Sequence, residues 1–168
     1  MEFCIGDLAV YPGYGVGKIV DIESKEIMGS TAEFLAIELL ENGSKLLVPK
    51  GAAEKKGLRP LISETQVPDV MSVLTTERTI KEKKLDTQTW NRRHREYTDK
   101  IKSGAVNEIA TVMRDLCILR VDKELSFSER KMLDQAKGLL VKELSIAKGS
   151  SENEIEQEME GLFPPAQV

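Results

Sequence analysis

The residues in this sequence with the clearest capacity for chemistry lie together, between Asp86 and Gly104. This stretch holds the only tryptophan and the only histidine of the 168-residue chain, and three arginines (Arg92, Arg93 and Arg95) fall within four positions. Guanidinium groups bind phosphates, and an indole can stack on a base or wedge into a base step. These residue types at this spacing predict a local contact with nucleic acid.

A single helix must position these side chains. Asp86 or Thr87 can cap its start, and no proline or glycine interrupts the sequence until Gly104, which suits a C-terminal stop. One stripe of this helix would carry its aromatic and apolar side chains, which are Trp90, His94, Tyr97 and Ile101. Much of the remaining circumference is basic and includes Lys100 and Lys102.

The same stretch also has a purely structural interpretation. A tryptophan on a helical stripe is commonly a core residue, and Arg92–Glu96 and Arg95–Asp99 can form ordinary ion pairs at i,i+4 spacing. The residues alone therefore leave two interpretations open, a nucleic-acid surface or a core helix with a solvated, charged outer face.

Residue types that support catalysis or metal binding do not occur in useful combinations. The chain has one histidine and two cysteines, Cys4 and Cys117, without a Cys-x-x-Cys pair, which excludes a Cys/His zinc site. No nucleophilic triad is indicated, because His94 has no evident orienting partner. We expect no catalytic residue, no metal and no cofactor, and we expect both thiols to be buried in a reducing compartment.

Composition and charge describe a soluble globular protein whose contact with nucleic acid must be local. Apolar residues make up 40% and charged residues 31% of the chain, and the apolar runs are far too short to span a bilayer. We expect a cytoplasmic protein without a signal peptide or membrane segment. The net charge is −4, although residues 62–120 carry a balance of +2, so another partner must supply most of the affinity.

The first part of the chain is β-rich. Residues 7–62 contain short alternating apolar runs broken by tight turns, and Asn42-Gly43 is a strong hairpin signal. A second turn is predicted at Met28-Gly29-Ser30. Four or five short strands in this length predict a small SH3-like or Tudor-like β barrel, with a domain boundary after residue 62.

The remainder, residues 63–168, is predicted to be a compact all-α domain, which makes the fold class α+β. Helical periodicity recurs through it, and Ser126-x-x-Glu129 and Ser151-x-x-Glu154 are capping boxes. Residues 76–88 are charged and weakly patterned, and they are interpreted as a surface connection.

Three motifs together resemble the CarD/CdnL family of bacterial transcription regulators, and specifically its short CdnL type. They are GDLAVYPGYGVGKI, TWNRRHREYTDKIKSG and LSFSERKMLDQAKGLLVKEL. The resemblance covers nearly the whole chain. It implies a monomer that docks its β domain on the β subunit of RNA polymerase by adding an edge strand to a sheet of the partner. It also implies that the helical domain touches promoter DNA at the upstream edge of the transcription bubble.

The resemblance also implies which residues make these contacts. Trp90 would wedge into the minor groove and hold the strands apart, with basic contacts from Arg92, Arg93, Arg95, Lys100 and Lys102. The polymerase surface would be formed by Lys25, Ile27, Ile37, Leu47 and Pro49. Some relatives place arginine where this chain has Lys25 and Leu47, so a leucine at the second position removes a charge contact.

Two functions of other classes remain as alternatives. The chain could be a protein-interaction adaptor whose Tudor-like barrel binds peptides without nucleic acid, in which case Trp90 would have no effect at promoters. It could also be an enzyme with a site that the sequence does not reveal, and a convergent polar pocket would then be expected.

Overall fold

The computed structural model describes residues 2–164, except for the side chains of Ile80 and Lys81. It separates into two compact units, Met1–Leu61 and Ile62–Val168. A small β unit is followed by an all-α unit, so the predicted α+β fold class is confirmed.

The first unit is an antiparallel sheet of five strands within the described residues. The strands are β1 (Leu8–Tyr11), β2 (Gly15–Ile27), β3 (Ser30–Leu39), β4 (Lys45–Pro49) and β5 (Arg59–Pro60). Their spatial order is β4-β3-β2-β1-β5, which places β4 at one edge of the sheet. Met28 and Gly29 form the turn between β2 and β3, both with positive φ, and Asn42-Gly43 lies between β3 and β4, as predicted.

Side chains along the long hairpin of β2 and β3 point alternately to an inner and an outer face of the sheet. Ile19 pairs with Ile37, and a β-bulge follows, so that Asp21 pairs with Ala36 and alternate residues of each strand face opposite sides. The core that packs on the inner face consists of Phe3, Ala9, Ile19, Leu35, Ile37, Val48, Ala53 and Leu58.

The second unit contains six α-helices within the part of the chain that the structure describes. They are α1 (Val67–Thr75), α2 (Ile80–Leu85), α3 (Trp90–Lys102), α4 (Val106–Asp122), α5 (Phe127–Lys148) and α6 (Glu152–Glu160). Tyr97 and Ile101 of α3 join a core supplied mainly by α1, α4, α5 and α6. The predicted capping box of Ser126 and Glu129 begins α5, and Ser151 caps α6.

The interpretation of residues 76–88 as a surface connection was wrong, because α2 lies within them. Thr79 caps α2 by accepting a hydrogen bond from the Glu82 amide at 3.2 Å, and Glu82 Oε1 accepts one from the Thr79 amide at 2.9 Å. This reciprocal pair is a capping box that the Thr-x-x-Glu spacing could have revealed. It also moves the start of α3, which is capped by Thr89 rather than by Asp86 or Thr87.

A buried ion-pair network joins α2 to α4. Arg78 forms two hydrogen bonds to the Asp86 carboxylate, at 2.8 and 2.9 Å, and its Nε lies 3.2 Å from Asp115 Oδ1. Arg114 donates from Nε to the same Asp115 oxygen at 3.1 Å and from Nη2 to Glu82. Burial raises the pKa of Asp115 above its ordinary value, against the opposing charges of both arginines. The network holds α2 and the chain that leads into α3 against α4.

The two cysteines differ, which corrects part of the sequence interpretation. Cys117 is buried in the helical core, where desolvation raises the pKa of its thiol to about 11. Cys4 is exposed. No helix among the residues described has the length and apolar character that crossing a bilayer requires.

Candidate nucleic-acid and partner surfaces

The start of α3 meets the start of α5, and Trp90 lies at this meeting point. Trp90 is the first residue of α3, and Thr89 caps the helix by accepting a hydrogen bond from the Arg92 amide at 3.4 Å. The indole Nε1–H donates to Ser128 Oγ at 3.1 Å, in the first turn of α5. Trp90 is half-buried and packs against the helical core on one side only. Its placement is therefore intermediate between the two interpretations left open by the sequence.

Arg93 is turned into the protein rather than toward solvent. It is only 8% exposed, and both its Nη1 and Nη2 lie 3.4 Å from Glu129 Oε2. Its guanidinium carbon stands 5.0 Å from the centre of the Trp90 ring, in cation–π geometry. Arg93 thus contacts the indole and a buried carboxylate, and this burial argues against the predicted direct contact with a phosphate.

Glu129 connects the cap of α5 to the side chains around Trp90. Its Oε1 accepts a hydrogen bond from the Ser126 amide at 3.0 Å, and Oε2 faces Arg93. Burial alone would raise the pKa of Glu129, but the hydrogen bonds from Ser126 and the charges of Lys123 and Arg93 together lower it. Glu129 is therefore held as a carboxylate, which is the form that pairs with Arg93.

The buried stripe of α3 differs from the predicted one. It consists of Arg93, Tyr97 and Ile101, whereas His94 is exposed and its ring meets the edge of the Trp90 ring at 5.5 Å. Arg93 and His94 are adjacent in sequence, and either could lie on the buried stripe beside Tyr97. Arg93 occupies this position because its guanidinium pairs with the buried carboxylate of Glu129. Burial raises the pKa of Tyr97, as expected for a phenol in this core.

The predicted basic residues fall into two groups. Arg92, Arg95 and Lys102 are exposed, and within the described part of the chain none of them forms an ion pair, so the pairs Arg92–Glu96 and Arg95–Asp99 are not made. Lys100 is half-buried and faces α4, with Nζ 3.3 Å from Thr111 Oγ1 and 3.9 Å from Glu108. Three free cations therefore remain on the solvent side of α3.

Phe127, the first residue of α5, is 75% exposed and was not among the residues predicted from the sequence. It immediately precedes Ser128, the acceptor for the Trp90 indole. The signal in the sequence was a large apolar residue at the first position of a capped helix, outside the apolar stripe that packs on the core. The exposed Phe127 is therefore one residue along the chain from the residue that binds the half-exposed Trp90.

A cavity of about 540 Å³ opens among α2, α3 and α4. Its lining carries carboxylates (Glu82, Glu96, Glu108 and Asp115) and cations (Lys84, Arg92 and Lys100). Two of the carboxylates, Glu82 and Asp115, belong to the buried network with Arg78 and Arg114. These two carboxylates therefore serve to hold α2 against α4.

On the first unit, the register places four of the five predicted polymerase-binding residues on the outer face. Lys25 and Ile27 alternate along β2, and Leu47 and Pro49 alternate along β4, opposite Ala36 and Phe34 of β3. Ile37 lies on the inner face and is 0% exposed, so its side chain cannot contact a partner, and the prediction for Ile37 is corrected.

The outer face also contains Phe34, which the sequence analysis did not single out. Phe34 is half-buried, and Lys25 Nζ lies 6.0 Å from the centre of its ring. Ile27 and Leu47 are 49% and 45% exposed. The outer face thus combines exposed apolar side chains with charged ones, since Glu23 pairs with Phe34 in the same register, and it borders β4, an edge strand of the sheet within the described residues.

Comparison with known proteins matches both units. Residues 3–62 match the family model of the CarD-like/TRCF RID domain, and residues 69–160 match that of the CarD C-terminal domain. The Bacillus subtilis (strain 168) protein YdeB, named as a candidate transcription factor, is 32% identical over 156 residues, which are 91% of this chain and 97% of that protein. The solution structure of the 72-residue N-terminal domain of Myxococcus xanthus CarD is 32% identical over 35% of this chain and 79% of that domain, with a TM-score of 0.31. Among the described residues, no group of three or more His, Cys, Asp or Glu is arranged to hold a metal ion.

Proposed function

The chain belongs to the CarD family of transcription regulators, and from that premise we propose that it docks on the β subunit of RNA polymerase and stabilises the promoter open complex. Residues 1–62 make the dock, and residues 63–168 contact DNA at the upstream edge of the bubble. The protein acts as a monomer in the cytoplasm and needs no cofactor. The observation that carries the proposal is the half-exposed Trp90 at the start of α3, a helix whose solvent side carries the exposed Arg92 and Arg95.

The DNA contact combines an aromatic edge with nearby cations. An indole that fills the gap at an unstacked base step resists closure of the duplex, and base–aromatic stacking is worth about 1–3 kcal/mol per base. Arg92 and Arg95 lie within two turns of Trp90 and are exposed, so they can reach phosphates on either side of the step. Lys102 extends the same basic surface, whereas Arg93 and Lys100 support it from inside the protein.

The polymerase contact uses the outer face and the edge of β4. An edge strand presents free backbone N–H and C=O groups to which a partner strand can add, and this gives affinity without a basic surface. Lys25, Ile27, Phe34, Leu47 and Pro49 then supply side-chain contacts on one face. This mode agrees with a net charge of −4, because the polymerase rather than the DNA provides most of the binding free energy.

Leu47→Asp should reduce retention of the RNA polymerase β subunit by the full chain about tenfold or more, because an interface anchor is worth on the order of 1–2 kcal/mol or more. Quantitative pull-down from bacterial lysate measures this. Leu40→Asp is the matched control, since Leu40 is similarly exposed (41%) but follows the far end of β3. Equal retention of both variants would place the dock elsewhere.

The three arginines of α3 should separate by salt dependence. Arg92→Ala and Arg95→Ala should each shorten the open-complex lifetime modestly, with an effect that fades at high salt because phosphates are their targets. Arg93→Ala should lower the melting temperature and act independently of salt, since it deprives the buried Glu129 of a partner. Lifetimes at two salt concentrations, with melting curves for each variant, measure both effects. A salt-sensitive Arg93→Ala variant of normal stability would show that Arg93 contacts DNA after all.

The adaptor alternative predicts a different result for the Trp90 variants. If the β unit binds peptides and nucleic acid plays no part, the polymerase is retained but Trp90 variants leave open complexes unchanged. The enzyme alternative loses support, because the family is one of transcription factors and the carboxylates Glu82 and Asp115 in the cavity are committed to ion pairs.

A further inference from the structure

We propose that Ser128 is a positioning residue that fixes the orientation of the Trp90 indole before the protein binds DNA. Ser128 touches no DNA in this proposal and acts only through Trp90. The inference rests on the proposed function for its effect at promoters, but not for the placement of the indole, which can be measured in the free protein.

The geometry holds the indole from several directions. The Nε1–H donates to Ser128 Oγ at 3.1 Å, the Arg93 guanidinium carbon lies 5.0 Å from the ring centre, and the His94 ring meets the indole at 5.5 Å. A tryptophan side chain has only two rotatable torsions. A directional hydrogen bond at one end of the ring and a cation at its face are enough to select one orientation.

The Ser128 hydroxyl has no other evident task in the fold. The cap of α5 is made by Ser126, whose Oγ accepts from the Glu129 amide at 3.2 Å. Ser128 is therefore not needed as the cap. Its half-buried hydroxyl is used by the indole. A hydroxyl that the cap does not need and that binds the candidate wedge fits a positioning role.

An indole whose orientation is already fixed loses less conformational freedom when it binds DNA. Ser128 can therefore strengthen the DNA contact of Trp90 without making a contact of its own. The base of this arrangement is rigid, because Glu129 closes the cap of α5 and also pairs with Arg93. The Ser128 hydroxyl can therefore be removed without disturbing the ion pair of Arg93 and Glu129 or the cap of α5.

Ser128→Ala tests the placement directly in the free protein. The chain has one tryptophan, so its indole N–H gives a single resonance in a 1H–15N spectrum. Loss of the acceptor should move this resonance upfield and accelerate its exchange with water, whereas Ser128→Thr, which keeps the hydroxyl, should restore both. Ser72→Ala is the matched control, because that exposed hydroxyl bonds only Pro68 O of its own helix. An unchanged indole resonance in Ser128→Ala would overturn the proposal.

The promoter assay then distinguishes failure of this inference from failure of the proposed function. Ser128→Ala should shorten the open-complex lifetime about two- to tenfold, the factor that corresponds to one hydrogen bond of ordinary net strength. In a Trp90→Phe background, which has no indole N–H, the same substitution should have no further effect. An equal effect in both backgrounds overturns the positioning role. If the indole resonance shifts in Ser128→Ala, but neither Ser128→Ala nor Trp90→Ala changes the open-complex lifetime, the proposed wedge is wrong instead.

Discussion

Trp90→Ala should shorten the lifetime of the promoter open complex by about fivefold to a hundredfold, the range that follows from losing a base–aromatic stack worth roughly 1–3 kcal/mol. The expectation rests on the position of Trp90, which is half-exposed at the first turn of α3, a helix that carries the exposed Arg92 and Arg95. Dissociation of preformed open complexes, timed after addition of a competitor, measures this lifetime. Retention of the polymerase should be unchanged, because Trp90 lies in the helical unit.

The stability of the same variant decides whether the lifetime effect is specific. Removing a fully buried aromatic costs about 3–5 kcal/mol, and the half-buried Trp90 should cost less than this range. Trp90→Phe provides a graded comparison, since a smaller ring keeps part of the stacking and should keep part of the lifetime. A melting temperature that collapses in Trp90→Ala, or a normal lifetime in a well-folded variant, would rule out the wedge.

Asp115→Ala should lower the free energy of unfolding by about 3–5 kcal/mol, the loss typical when one partner leaves a buried ionic network. Asp115 is 3% exposed, and one of its oxygens faces both Arg78 and Arg114. Its removal leaves two guanidinium groups buried without that acceptor. Thermal unfolding followed by circular dichroism should show a decrease of the melting temperature on the order of 10–20 °C.

Two further variants test the cause of this loss. Asp122→Ala removes an exposed carboxylate from the end of the same helix and should change stability by less than about 0.5 kcal/mol. Asp115→Asn keeps an oxygen acceptor for the guanidinium groups of Arg78 and Arg114, so it should be milder than alanine. Asn as damaging as Ala would mean that charge, rather than hydrogen bonding, holds the network together.

Local patterns predicted most of the fold because they depend on neighbours in the chain. The Asn42-Gly43 turn, the capping box of Ser126 and Glu129, and the stretch of helix from Trp90 onward follow from spacings of two to four residues. The six-residue α2 was not predicted because it is rich in lysine and has little apolar periodicity. Part of its stability comes from Arg114, which lies 32 residues from Glu82 and pairs with it only in the folded protein.

The parts of the candidate surfaces that sequence reasoning missed depend on distant partners. Arg93 is buried because Glu129, 36 residues away, faces it, and a polarity pattern assigns a guanidinium to the surface. Ile37 was grouped with Leu47, but the register pairs Leu47 with Ala36, and a neighbouring strand residue points to the opposite face. Strand register is fixed by packing and loop length together, so one-residue errors of this kind move a side chain from the surface to the core.

The open edge of β4 has a consequence for the behaviour of the protein in concentrated solution. A strand edge that can accept a partner strand can also accept the same strand of another copy, and exposed apolar edges are sites of aggregation. Two features of β4 oppose such pairing. Pro49 ends the strand without an N–H to donate. Lys45 at the other end is exposed, and pairing with a second copy would take its charge out of water. We therefore expect these two residues to limit self-association through β4 at high protein concentration.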